Sequence, residues 1–160
     1  MTLKPPNCIG QFDLNLLHYA VGGLRARDVY DREVVLKTLL ELAEQVGYRL
    51  RRKGLKGRTV TVKIHFSDFS TITRSRTLPD YVDGDGTIYR VAWELFLANC
   101  GRPPWRLVGI QVSNLADGAC EQLSLFTEPD RDGRVCRVVD ELREKYGRDV
   151  LKRATLIERK

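Results

Sequence analysis

Between Arg49 and Arg76 the chain carries nine basic residues (Arg49, Arg51, Arg52, Lys53, Lys56, Arg58, Lys63, Arg74 and Arg76) against one acid, Asp68. The local charge is +8 in a chain of +6 overall, so the remainder is slightly acidic at −2. Among these cations lie Thr59, Thr61, Thr71, Thr73, Ser75 and Thr77. Cations mixed with neutral hydroxyl donors can hold phosphate oxygens along a nucleic-acid backbone. The same residues could equally form a solvated edge that resists strand-to-strand aggregation. Charge alone does not choose between the two.

Other groupings that could carry chemistry are weaker. Asp83, Asp85, Thr87 and Glu94 fall at the first, third, fifth and twelfth positions of a calcium-loop register, but Ile88 stands where the sharp turn needs Gly, so calcium is rejected. Asp83 and Asp85 then read as turn residues before a helix, and with no third carboxylate nearby no catalytic residue and no metal site is expected. Cys8, Cys100, Cys120 and Cys136 show no CxxC spacing and lie far in sequence from His18 and His65, which argues against zinc and for free, mostly buried thiols. Phe66, Phe69, Trp93 and Trp105 are assigned to packing, because aromatics usually fill cores.

The elements that position these residues follow from periodicity. Val35, Leu39, Leu42, Val46 and Leu50 make one apolar helical face, with Asp28 or Asp31 as its cap and the Arg49 to Lys53 run at the negative end of its dipole. Val60, Val62, Ile64 and Phe66 alternate with Thr59, Thr61, Lys63 and His65, which predicts a strand. Ser67-Asp68 turns the chain, and the stretch from Ser70 to Leu78 returns as the second half of a hairpin. After the polar YVDGDG loop, Thr87 would cap a helix with Ile88, Val91, Ala92, Leu95 and Phe96 inward. WRLVGIQVSNL is a further strand, a third helix runs from about Arg134 to Tyr146 with Val135, Val138, Val139 and Leu142 inward, and Val150 to Ile157 is a last strand.

The expected fold is α+β, a mostly antiparallel four-stranded sheet with helices on one face and the other face left free. Residues 1–30 read as an N-terminal extension or linker remnant, and 31–160 as one domain; 160 residues at 42% hydrophobic content can bury a core. The polar start MTLKPPN does not read as a secretory signal, and no apolar run approaches the ~20 residues that span a bilayer. A cytoplasmic location and no membrane partner are expected.

GLKGRTVTVKIHFSDFSTITRSRTLP, WRLVGIQVSNL, EQLSLF, and VVDELREKYG followed by VLKRATL occur in that order. Together they resemble the little-finger domain, the C-terminal DNA-binding domain of Y-family translesion DNA polymerases of the bacterial DNA polymerase IV type. The similarity covers about Glu33 to Leu156. It implies a little-finger-like sandwich that grips primer-template or duplex DNA by its phosphates during damage bypass and repair. It implies that Arg74, Ser75 and Arg76, with Lys63 and Arg106, face DNA; Arg58, Thr59, Thr61 and Thr73 of the basic, hydroxyl-rich stretch complete the expected DNA-binding residues.

QLSLF resembles the peptide by which bacterial polymerases dock on the sliding clamp, with Gln122 as polar anchor and Leu123, Leu125 and Phe126 as the apolar part. The family's catalysis needs palm-domain acids that hold magnesium, and no such site is legible in this chain, so no cofactor is expected here. The remaining polymerase domains would be further partners if the chain is part of a longer protein. Two other readings stay open. One is a stand-alone interaction protein that binds a clamp or repair factor without holding DNA. The other is an RNA-binding sheet, which the scarcity of exposed-strand aromatics disfavours.

Overall fold

The computed structural model describes residues 28–118, 131–147 and 150–156. In chain order the elements are α1 (Arg32–Arg52), β1 (Leu55–Phe66), β2 (Thr71–Val82), α2 (Asp85–Asn99), β3 (Trp105–Asp117) and α3 (Arg131–Tyr146), followed by a short 3-10 turn at Ala154–Leu156. Among these described helices none is long and apolar enough to cross a membrane.

Asp31 starts α1, its carboxylate accepting the Glu33 N–H at 2.8 Å, and Glu33 and the Arg49, Arg51, Arg52 cluster sit at the dipole ends that favour them. Gly54 takes φ 65°, a left-handed turn open to glycine, and lets the chain enter β1 at once. β1 is the central strand of an antiparallel sheet ordered β2-β1-β3. Near Pro79, β1 advances two residues (Gly57 to Thr59) while β2 advances five (Thr77 to Val82), because proline has no N–H for the ladder and the edge strand bulges around it.

Val60, Val62 and Ile64 of β1 and Val108, Ile110 and Val112 of β3 meet α1 and α2 in one core. All five predicted inward residues of α1, and Ile88, Val91, Ala92, Leu95 and Phe96 of α2, are buried there. Trp105 lies at its centre with no exposure, in an edge-to-face contact with Phe96 whose ring centroid is 5.3 Å away, and its indole N–H donates to the Cys100 carbonyl at 2.6 Å. The Val29 backbone exchanges two 2.9 Å hydrogen bonds with Trp105, tying residue 29 to the end of the sheet.

Three expectations are corrected. The sheet has three strands rather than four among the described residues: 150–153 makes no ladder, and the Leu151 carbonyl instead accepts the Arg143 guanidinium at 2.8 and 3.0 Å before the chain enters the Ala154–Leu156 turn. The second helix begins at Asp85, not at Thr87, and Thr87's own N–H is capped from outside by the Asp132 carboxylate at 2.9 Å. The valine stripe of α3 is not its inward side. Val135 and Val138 are 62% and 57% exposed, and the helix buries Gly133 and Cys136 against α1 and α2 while polar contacts hold it.

Candidate nucleic-acid interface

Strand alternation sorts the sheet into two faces. Residues directly opposite in an antiparallel ladder point the same way. Thr59, Thr61, Lys63 and His65 of β1 pair with Thr77, Ser75, Thr73 and Thr71 of β2, and with Ser113, Gln111, Gly109 and Leu107 of β3. These rows share the face opposite the helices. Polar side chains there bond to one another: Thr59 Oγ1 to Thr77 Oγ1 at 2.8 Å, Asn114 Nδ2 to Thr59 Oγ1 at 2.8 Å, and Thr71 Oγ1 to His65 Nδ1 at 2.7 Å. Thr59, expected on the free surface, is buried at 9% exposure because Thr77 and Asn114 close over its hydroxyl. Burial, with help from the Lys63 charge, lowers the His65 pKa below its usual value, so at neutral pH the ring is an uncharged partner for Thr71.

The arginines divide differently from the expected single basic face. Arg74 and Arg76 pair with Val62 and Val60, so they leave the sheet on the helix side at its exposed edge. There Arg74 Nε donates to Asn99 Oδ1 at 3.1 Å, and Arg76 forms an ion pair with Glu94, both on α2. That ion pair is about half exposed on both sides, which makes it weak and easily exchanged for another anion. Arg58 donates to the Leu78 carbonyl at 2.7 Å at the bulge. Arg106 is exposed at the other end, beside the β1–β2 turn. The face is therefore a field of hydroxyls with Lys63 in its middle and Arg58, Arg74, Arg76 and Arg106 around its margin.

Arg51 leaves the basic run altogether. Its guanidinium, 4% exposed, donates to Asp140 Oδ2 at 2.5 Å, Asp85 Oδ1 at 2.7 Å and the Asp83 carbonyl at 2.5 Å, joining α1, α2 and α3. Burial opposes its charge, but the hydrogen bonds to Asp140 and Asp85 outweigh that and hold its pKa above the usual value. For Asp85 the balance is reversed. Burial pushes its carboxyl up to about 6 despite Arg51. Burial likewise pushes the Cys136 thiol up to about 12. Gly47 is required beside this hub, since a Cβ there would lie 2.0 Å from Asp85 Oδ1. Asp83 and Asp85 thus serve the hub, and among the described residues no group of three or more His, Cys, Asp or Glu could hold a metal ion.

Phe69 overturns its assignment to packing. It is 77% exposed at the turn between β1 and β2, with φ 65° and the Arg106 guanidinium 4.7 Å above its ring. The sequence signal for it is position: Phe69 follows Ser67-Asp68 in the turn, where no strand parity directs a side chain inward. Gln122, Leu123, Leu125 and Phe126 lie outside the described residues.

Residues 24–125 match the model of the impB/mucB/samB family C-terminal domain. A DNA polymerase IV of Moorella thermoacetica is 39% identical over 131 residues, covering 80% of this chain and 32% of that protein. A DNA polymerase IV of Methanoculleus marisnigri is 43% identical over 98 residues, covering 61% of this chain and 27% of that one. The chain thus spans about a third of the length of the curated relatives it matches. Among solved structures, a complex of the beta-clamp processivity factor and the little finger domain of PolIV is similar at a TM-score of 0.48 and 21% identity, covering 69% of this chain and 96% of that one. The chain belongs to the impB/mucB/samB family, its residues 24–125 matching that family's C-terminal domain, and most of its length is similar to part of DNA polymerase IV.

Proposed function

We propose that this domain grips the phosphate backbone of primer-template DNA during damage bypass and brings its polymerase to the sliding clamp through QLSLF, the chemistry residing in other domains. The observation that carries the reading is the sheet face opposite the helices, where Lys63 stands among Thr61, Thr73, Ser75 and Thr77. Neutral hydroxyls hydrogen-bond phosphate oxygens without reading sequence, and a few cations supply attraction. Arg58, Arg74, Arg76 and Arg106 would hold the phosphates that overhang the face. Arg76 can do so by releasing Glu94 at little cost.

Fluorescence anisotropy of the chain with labelled primer-template duplexes of unrelated sequence tests the reading. Lys63→Glu, and separately the pair Arg74→Ala and Arg76→Ala, should each weaken binding on the order of tenfold and alike for every sequence; losing one phosphate contact lowers the slope of log affinity against log salt by about 1. Unchanged isotherms at low salt would remove the DNA reading. The clamp arm is separate: Leu125→Ala with Phe126→Ala should abolish capture of a sliding clamp and leave duplex affinity alone. If the wild-type chain captures clamp yet shows negligible duplex affinity from the outset, it is an interaction module that does not hold DNA.

A further inference from the structure

We propose that Phe69, backed by Arg106, is a stacking platform for an unpaired nucleobase at the end of the phosphate-holding face, an inference that rests on the DNA reading above. Three observations meet at this residue. A bulky side chain at φ 65° is held in a left-handed conformation that favours glycine, and the hairpin could place glycine there without strain. The ring is 77% exposed, so core packing does not offset that strain. It also carries a guanidinium 4.7 Å over one side, the arrangement in which a cation and a π surface stabilise each other and hold the ring as a flat plane.

The surroundings indicate what the plane would meet. His65, Phe66, Phe69, Arg106 and Leu107 line an open cleft of about 270 Å³. His65 and Leu107 are also opposite one another in the sheet register, on the face that carries Lys63 and the threonines. The cleft is therefore continuous with the phosphate-holding rows. A strand running along them would bring its bases to an aromatic plane with a cation beside it, the combination that takes single-stranded nucleic acid. Bases within a duplex are already stacked. An unpaired one, such as that beyond a primer end, offers a free π face.

The test compares a labelled primer-template carrying a single-stranded thymidine overhang with a blunt duplex of equal length. Phe69→Gly should weaken the overhang probe about fivefold to tenfold, within the range that one base–aromatic stack supplies, and change the blunt probe less than about twofold. Its thermal midpoint should not fall, because glycine fits the turn. Phe69→Trp should retain the affinity, and its added emission should be quenched by the overhang probe but not by the blunt one. If Phe69→Gly weakens neither probe, or both equally, or lowers the thermal midpoint, the stacking role is overturned while Lys63→Glu still reports on the backbone reading. If the wild-type chain binds neither probe, both fall.

Discussion

Arg51→Met is expected to destabilise the domain by about 3–5 kcal/mol, the cost of removing one partner from a buried ion pair and leaving the other charged. Asp85 and Asp140, 5% and 13% exposed, would lose their shared cation, and the Asp83 carbonyl would lose a donor. So little exposure leaves solvent unable to screen the loss. Against the 5–15 kcal/mol typical of a domain, the change is about a fifth of the total or more. A urea midpoint measured by circular dichroism gives the magnitude. α3 should suffer first, because it is attached through Asp140, Arg143 and Asp132 rather than through its valines, so its amides should lose hydrogen-exchange protection ahead of the sheet. A loss below about 1 kcal/mol would mean the hub is dispensable.

Asp85 gives the same hub a pH dependence of defined sign. A carboxyl held at about 6 in the fold favours the folded state when protonated. That contribution is complete below the usual carboxylic value near ~4 and is lost as pH rises through about 6. Asp85→Asn keeps an acceptor for Arg51 without the charge. It should be at least as stable as the wild type at neutral pH, lose that advantage by about pH 4, and recover part of the stability in the Arg51→Met background. Denaturant midpoints for the two chains across that range, if parallel, would refute the assignment.

α1, β1, α2 and β3 were legible because each buries one face against the core, and burial writes its period into the sequence, as in Val35, Leu39, Leu42, Val46 and Leu50. The parity of β2 is written there as well. Ile72 and Leu78 mark the inward row, and Arg74 and Arg76 share it, while Thr73 and Ser75 belong to the row of Lys63. At an edge strand an arginine can occupy the inward row by reaching past the sheet to Glu94 or Asn99, so polarity there does not reveal direction. The Arg51 hub joins residues 89 positions apart and has no local signature. In α3 the periodic valines announce an apolar face without saying what meets it. The tight α1–α2 approach was signalled by Gly47, a costly residue inside a helix, but only the partner Asp85 explains it.

Trp105→Ala should cost a comparable 3–5 kcal/mol, about the usual loss for a buried aromatic truncated to alanine. The fully buried indole would be replaced by a cavity between α2 and the sheet, Phe96 would lose its edge contact, and the buried Cys100 carbonyl would lose its 2.6 Å donor. Trp105→Phe separates these effects. It refills most of the cavity but leaves the carbonyl unpaired, so about 1–3 kcal/mol should remain. The consequence reaches the proposed site through the backbone: Trp105 fixes the start of β3, pairs with Val29, and sets the bulge that turns the neighbouring Arg106 toward Phe69. At a temperature where Trp105→Phe remains folded, it should retain duplex affinity through Lys63 and the threonines yet bind the overhang probe less tightly, as Arg106 loosens over Phe69. Equal loss on both probes would show that β3 positions the whole face rather than its aromatic end.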